Sequence, residues 1–132
     1  MKIIDKLAWI EIKDKKILST KSKGKAVFYL PGGKRETGES DEAALLREIK
    51  EELDVDLESD SLQFLGIFEA QAHGHAEGII VKMQCYTANY SGQLKASAEI
   101  ESFDWLDTSH MDIISPVDKI IFKWLFDRGL IQ

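Results

Sequence analysis

Cysteine is almost absent from this sequence, with Cys85 the only one in 132 residues. An intramolecular disulfide is thereby excluded, which fits a reducing cytoplasm. Proline is nearly as scarce, at Pro31 and Pro116 only, and no repeat, low-complexity tract or linker divides the chain. No apolar run approaches the roughly 18 residues of a membrane span. Lys2, Asp5, Lys6 and Glu11 interrupt the first apolar stretch, which does not read as a signal peptide. Positive charge is in deficit: the formal net charge of -6 argues against a surface for a nucleic-acid polymer. What is present is a balance of 44% hydrophobic and 30% charged residues, enough to build the core of one domain spanning 1–132.

Apolar periodicity divides that domain into strands and two helices. Residues 7–12 (LAWIEI) read as a strand, 14–16 (DKK) as a turn and 17–20 (ILST) as the return strand of a hairpin. Lys21, Lys23 and Lys25 with Gly24 form a basic loop, either simply solvated or in contact with phosphate. Residues 55–61 are a polar connection, 62–68 a half-apolar strand and 79–90 the longest strand candidate. Between them, His73-Gly74-His75-Ala76-Glu77 has a His-x-His-x-Glu spacing that would place three ligands on one strand face. The flanking glycines argue instead for a loop, with His73 at the rim of a pocket. Residues 102–106 form a strand carrying Trp105. Ser115-Pro116 opens a final helix whose apolar face is Val117, Ile120, Ile121, Trp124 and Leu125, ended by Gly129. Strands and helices in this order predict an α+β fold, an α/β/α sandwich around a mixed sheet.

The stretch 33–55 carries the chemistry. Ser40 is a good N-cap, and Asp41 and Glu42 follow it where the helix dipole favours acids. At about 100° per residue, Leu45, Leu46, Ile49 and Leu53 share one stripe. Glu48, Glu51 and Glu52 fill a neighbouring arc, with Ala44 one turn earlier on the same side. Like charges at i+3 and i+4 destabilise a helix, and these also crowd the negative end of its dipole. A hard divalent cation would reverse that repulsion, since carboxylate oxygens suit Mg²⁺ or Mn²⁺. Before the helix, Pro31-Gly32-Gly33 lets backbone approach a ligand closely, and Lys34 and Arg35 add positive charge beside the helix N-terminus, which suits an anionic substrate.

The offsets are Gly33, five residues, Glu39, seven residues, Arg47-Glu48-Ile49, one residue, Glu51-Glu52, one residue, then Asp54-Val55. This pattern resembles the Nudix box, the signature of the Nudix (MutT-type) pyrophosphohydrolases. It departs only at Asp54, where the family has Gly. Asp tolerates the left-handed conformation expected at a helix exit. The resemblance implies a Nudix-like sandwich with a loop-helix-loop box, and a metal set of Gly32 (through its carbonyl), Glu48, Glu51 and Glu52. It implies that Arg47 braces a catalytic carboxylate and that Glu39 pins the loop to the helix. MutT-type members add a Glu six residues before a late-strand Trp, which is Glu99 before Trp105, with Glu101 its rival.

The resemblance further implies Mg²⁺-dependent hydrolysis of a phosphoanhydride in a nucleoside diphosphate linked to another moiety. Glu52, Glu51, Glu99 and Arg47 would be catalytic; Glu48, Glu51, Glu52 and Glu99 would hold metal. Lys21, Lys34, Arg35 and His73 would meet a nucleotide-type small-molecule substrate. The expected setting is a cytoplasmic monomer or homodimer with no membrane contact. No Pro lies between Val55 and Ser115, unlike ADP-ribose-type members, and Gln71-Ala72 stands where dinucleoside-polyphosphate members tend to have Tyr. Elimination leaves a nucleoside triphosphate pyrophosphohydrolase. Residues 113–115 lack the purine-reading Asn of the MutT type, so oxidised guanine is not indicated. The rival reading is a non-catalytic Nudix-like nucleotide-sensing module, which degenerate box positions would favour; here the three helix glutamates and Arg47 are all present.

Overall fold

Strand β1 (Lys2–Trp9) sets the layers. Its alternate residues face opposite ways, so Ile4, Lys6 and Ala8 point to one side, and Asp5, Leu7 and Trp9 to the other. It pairs in parallel along its whole length with β7 (Ile79–Thr87). That non-local pairing carries β1 back to Lys2, earlier than residues 7–12 alone suggest. The computed structural model describes residues 2–72 and 75–132; His73 therefore lies outside the described residues.

In chain order, β2 (Ile12–Lys13), β3 (Lys16–Ser22), β4 (Gly32–Gly33), α1 (Asp41–Leu53), β5 (Asp56–Leu57) and β6 (Gln63–Gln71) precede β7. After it come β8 (Tyr90–Ser91), β9 (Ile100–Leu106) and α2 (Pro116–Asp127). The main sheet has the order β4-β1-β7-β6, with β2-β3-β9 and β5-β8 as smaller sheets. One parallel and two antiparallel pairings make the main sheet mixed. Leu7 and Trp9 pack with Leu45, Ile49 and Leu53 of α1. Ala8, Val81, Met83 and Cys85 pack with Val117, Ile121, Phe122 and Leu125 of α2. The α/β/α sandwich is thus present, with one helix on each face of the sheet. Each fully buried Leu or Ile of these clusters contributes about 1.5–3 kcal/mol.

Helix α1 begins and ends where its local chemistry directs. Ser40 accepts from Ala43 N–H at 3.1 Å, and Asp54 adopts the left-handed conformation (φ 57°, ψ 34°) with its N–H on the Lys50 carbonyl. Ala44, expected beside the glutamate arc, is instead fully buried in the core. Helix α2 is rotated from the expected face: Ile120 stays 45% exposed, while Asp118 is buried with Val117, Ile121 and Phe122. Among the described residues no helix is long and apolar enough to cross a membrane.

Candidate active site

The two glycines of β4 bring the chain against α1. Gly32 has φ 145°, and a Cβ there would strike the Leu7 carbonyl of β1. A Cβ on Gly33 would strike the Glu48 carboxylate. With no side chain at either position, the Gly32 N–H donates to Glu52 Oε1 at 3.1 Å. Burial pushes the Glu52 carboxyl up to about 7; the Gly32 N–H opposes that shift, and the Glu48 charge adds to it. Burial also raises Glu48, against the pull of Arg47. Glu51, whose side chain is 54% exposed, is the outermost of the three.

Arg47 uses its planar fork to join the loop to the helix. Its Nε and Nη2 both donate to Glu39 at 2.8 Å, Nη1 donates to Glu48 Oε1 at 2.8 Å, and Nη2 also reaches the Lys34 carbonyl at 3.1 Å. Such bidentate, charge-assisted bonds fix geometry as well as charge. The Arg47 bonds, helped by the Glu36 N–H, hold the Glu39 carboxyl down to about 2. Glu39 stays ionised and the guanidinium stays fixed while it steadies Glu48.

The donors suit a hard divalent cation, being carboxylate oxygens on one helix arc beside a close-approaching backbone. Among the described residues, no three His, Cys, Asp or Glu groups converge as a ready-made metal cluster. Glu52 is turned to Gly32 and Glu48 to Arg47, so ligation would draw flexible side chains from these partners. Gly32 does approach Glu52, but the contact is made by its N–H.

A cavity of ≈ 320 Å³ opens beside Glu52 and Gly32. It is lined by Lys6 and Met83 of the main sheet, by Thr20 and Ser22 of β3 with Ile100 of β9, and by Ser115 and Val117 at the start of α2. Lys34 and His75 line it, as do Lys25 and Tyr29.

The other expected substrate residues are placed elsewhere. Arg35 is forked between Asp5 at 2.5 Å and Asp41 at 2.6 Å, and Tyr86 completes that network by donating to Asp41 at 2.5 Å. Arg35 therefore ties the box loop to β1 and α1 and does not line the cavity. Lys21 points away from the Thr20 and Ser22 side and pairs with Glu101 at 3.1 Å. A register shift in the β3–β9 pairing explains this: Ser22 faces Ile100 and Lys21 faces Ser102, leaving Glu101 as the extra residue.

Glu99 is exposed on the loop before β9 and follows Ala98, a non-glycine residue with positive φ (52°). That loop is fastened to the end of α1: Lys95 N–H donates to the Leu53 carbonyl and Ser97 N–H to the Glu52 carbonyl, both at 2.9 Å.

Two polar groups lining the cavity, Lys6 and Ser115, and one buried behind it, Asp118, escape a reading of the sequence. Lys6 sits on an apolar strand face and acts electrostatically on both Glu52 and Asp118. Asp118 is fully buried, and burial pushes its carboxyl up to about 7 although it accepts from Leu30 N–H at 3.0 Å. The Ser115 hydroxyl lies beside it and favours its charged form. Yet neither Ser115 Oγ nor Asp118 Oδ1 has a hydrogen bond of ordinary geometry among the described residues. The one available signal for Asp118 was an acid beside the apolar stripe of a helix, the common pattern for an exposed first-turn residue.

The NUDIX domain profile matches residues 7–125. An ADP-ribose pyrophosphatase from Methanocaldococcus jannaschii is 34% identical over 105 residues, covering 75% of this chain but 59% of that protein's length. The MutT NUDIX hydrolase from Burkholderia pseudomallei superposes with a TM-score of 0.73 at 25% identity, covering 93% of this chain and 98% of that one. A NUDIX hydrolase from Nitrosomonas europaea superposes with a TM-score of 0.76 at 18% identity, covering 97% and 90%. The last likeness is one of fold.

Proposed function

The chain belongs to the NUDIX family, and from that premise we propose that it is a divalent-cation-dependent hydrolase of a phosphoanhydride bond in a nucleoside diphosphate linked to another moiety. The observation that carries this reading is Glu52. It is a largely buried carboxylate that is held by the Gly32 N–H and lines a nucleoside-sized cavity, with Glu48 and Glu51 beside it on the same helix.

Glu48, Glu51 and Glu52 would hold Mg²⁺ or Mn²⁺, which supplies charge neutralisation and an acidified water when bound. The protein residues position and neutralise. Arg47 orients Glu48, and the cavity holds the nucleoside portion. A water oxygen bonds to one phosphorus, the bridging P–O bond breaks, and the leaving phosphate keeps the bond's electron pair. The water proton passes to a carboxylate. Glu99 is the proposed acceptor, because its loop is fastened to the Glu52 carbonyl whereas Glu101 is occupied with Lys21.

For the substrate we propose a nucleoside triphosphate, cleaved to a nucleoside monophosphate and pyrophosphate. One cavity of ≈ 320 Å³ accommodates one nucleoside, and the rest of the molecule would lie across the carboxylates in solvent. The archaeal ADP-ribose pyrophosphatase relative favours a second reading, in which the outer moiety is ribose phosphate. A panel of nucleoside triphosphates and ADP-ribose, with Mg²⁺ and with EDTA, decides. The first reading predicts pyrophosphate release from a triphosphate; the second predicts AMP and ribose phosphate from ADP-ribose.

A further inference from the structure

Lys25 and Lys34 line the cavity as exposed side chains, but Lys6 enters it from strand β1 and is partly buried. Register fixes Lys6 there: its β7 partner is Met83, and the preceding pair on that face is Ile4 with Val81. It is partly buried between these apolar side chains and has no ion-pair partner among the described residues. Arg35 is committed to two aspartates, Arg47 to the box glutamates and Lys21 to Glu101, while Lys25 and Lys34 line the cavity as exposed side chains. A partly buried ammonium that makes no ion pair keeps its three donors for an anion that arrives with a ligand.

The cavity it lines selects the kind of anion. Lys6 lines the same cavity as Glu52, Gly32 and Ser115, and it acts electrostatically on both Glu52 and buried Asp118. Resting on the reading of the site given above, we propose that Lys6 binds the phosphate attached directly to the nucleoside. It would then hold the nucleoside monophosphate portion of the substrate, and the same portion as product, in the cavity.

Calorimetric titration in EDTA tests this without turnover. AMP, GMP, CMP and UMP, and their nucleosides, are titrated into wild type, Lys6→Gln and Lys6→Arg, with folding checked by circular dichroism. The expected result is that the best monophosphate binds wild type more tightly than its nucleoside does. Lys6→Gln should lose about tenfold or more of that affinity, with nucleoside binding unchanged and Lys6→Arg largely restoring it. Equal monophosphate affinity in wild type and Lys6→Gln, or no monophosphate binding by wild type, overturns the proposal. A lysine that only balances Glu52 and Asp118 would give the first of these outcomes, with tighter Mn²⁺ binding in Lys6→Gln. Hydrolysis of the nucleotide panel by wild type with Mg²⁺ is scored separately. Turnover by wild type together with unaltered monophosphate binding in Lys6→Gln removes the Lys6 assignment alone.

Discussion

Two adjacent glycines do different work, and the difference is measurable. At Gly32 the obstacle to a side chain is the Leu7 backbone; at Gly33 it is the end of the Glu48 side chain. Gly32→Ala should lower stability by more than about 2 kcal/mol, because backbone must move in a packed strand pair. Gly33→Ala should stay within about 1 kcal/mol of wild type, since a carboxylate can swing aside, but should lose metal-dependent activity because Glu48 is displaced. Chemical denaturation and turnover of the same two proteins check this; equal stability losses would contradict it. At this scale the box was legible. The positions of Gly33, Glu39, Arg47, Glu48 and Glu52 follow a strict spacing, and each contact made by Arg47 joins residues within that spacing. Arg35 and Lys21 were not legible as partnered residues, because Asp5, Asp41 and Glu101 meet them through sheet pairing and a register shift.

Helix α1 ends on a residue whose conformation suits glycine. Asp54 has φ 57° and ψ 34°, so Asp54→Gly should be neutral or stabilising by up to about 1 kcal/mol, while Asp54→Val should cost about 1–2 kcal/mol. Thermal unfolding of the pair checks the sign of each change. The end of the same helix also anchors the loop before β9, through the Glu52 and Leu53 carbonyls. On the proposed function, that attachment favours Glu99 over Glu101 as the proton acceptor. Glu99→Gln should reduce kcat strongly with little change in KM, whereas Glu101→Gln should remain within a few-fold of wild type. Equal, small effects would place the proton acceptor elsewhere. The sequence could not separate them, because the register shift that sends Glu101 to Lys21 depends on how β3 meets β9.

At the scale of the whole molecule, one acid spans the layers. Asp118 of α2 accepts from Leu30, just before the glycine loop, and is fully buried with a folded pKa of about 7. Its ordinary value is near 3.8. Between these pH values the folded chain keeps a proton that the unfolded chain has lost. The contribution of Asp118 to stability is thus complete below about pH 4 and declines as pH rises through 7. Asp118→Asn should therefore gain on wild type, by on the order of a few kcal/mol, as pH rises from 4 to 8. Denaturation midpoints across that range test it, and a constant difference between the two proteins would contradict it. The layer order was legible from alternating apolar strands and two amphipathic helices. The cavity was not, because it forms where β1, β3, β9 and the start of α2 meet, and no local spacing connects Lys6 with Ser115 or Asp118.

The central claim is that Glu52, with its two helical neighbours, makes this chain a metal-dependent phosphoanhydride hydrolase. The most direct measurement is product release from the nucleotide panel by wild type and Glu52→Gln at matched Mg²⁺, with an EDTA control. The account predicts a nucleoside monophosphate product that EDTA abolishes, and a Glu52→Gln protein that stays folded with turnover reduced by orders of magnitude. Full activity in Glu52→Gln, or hydrolysis indifferent to EDTA, would contradict it.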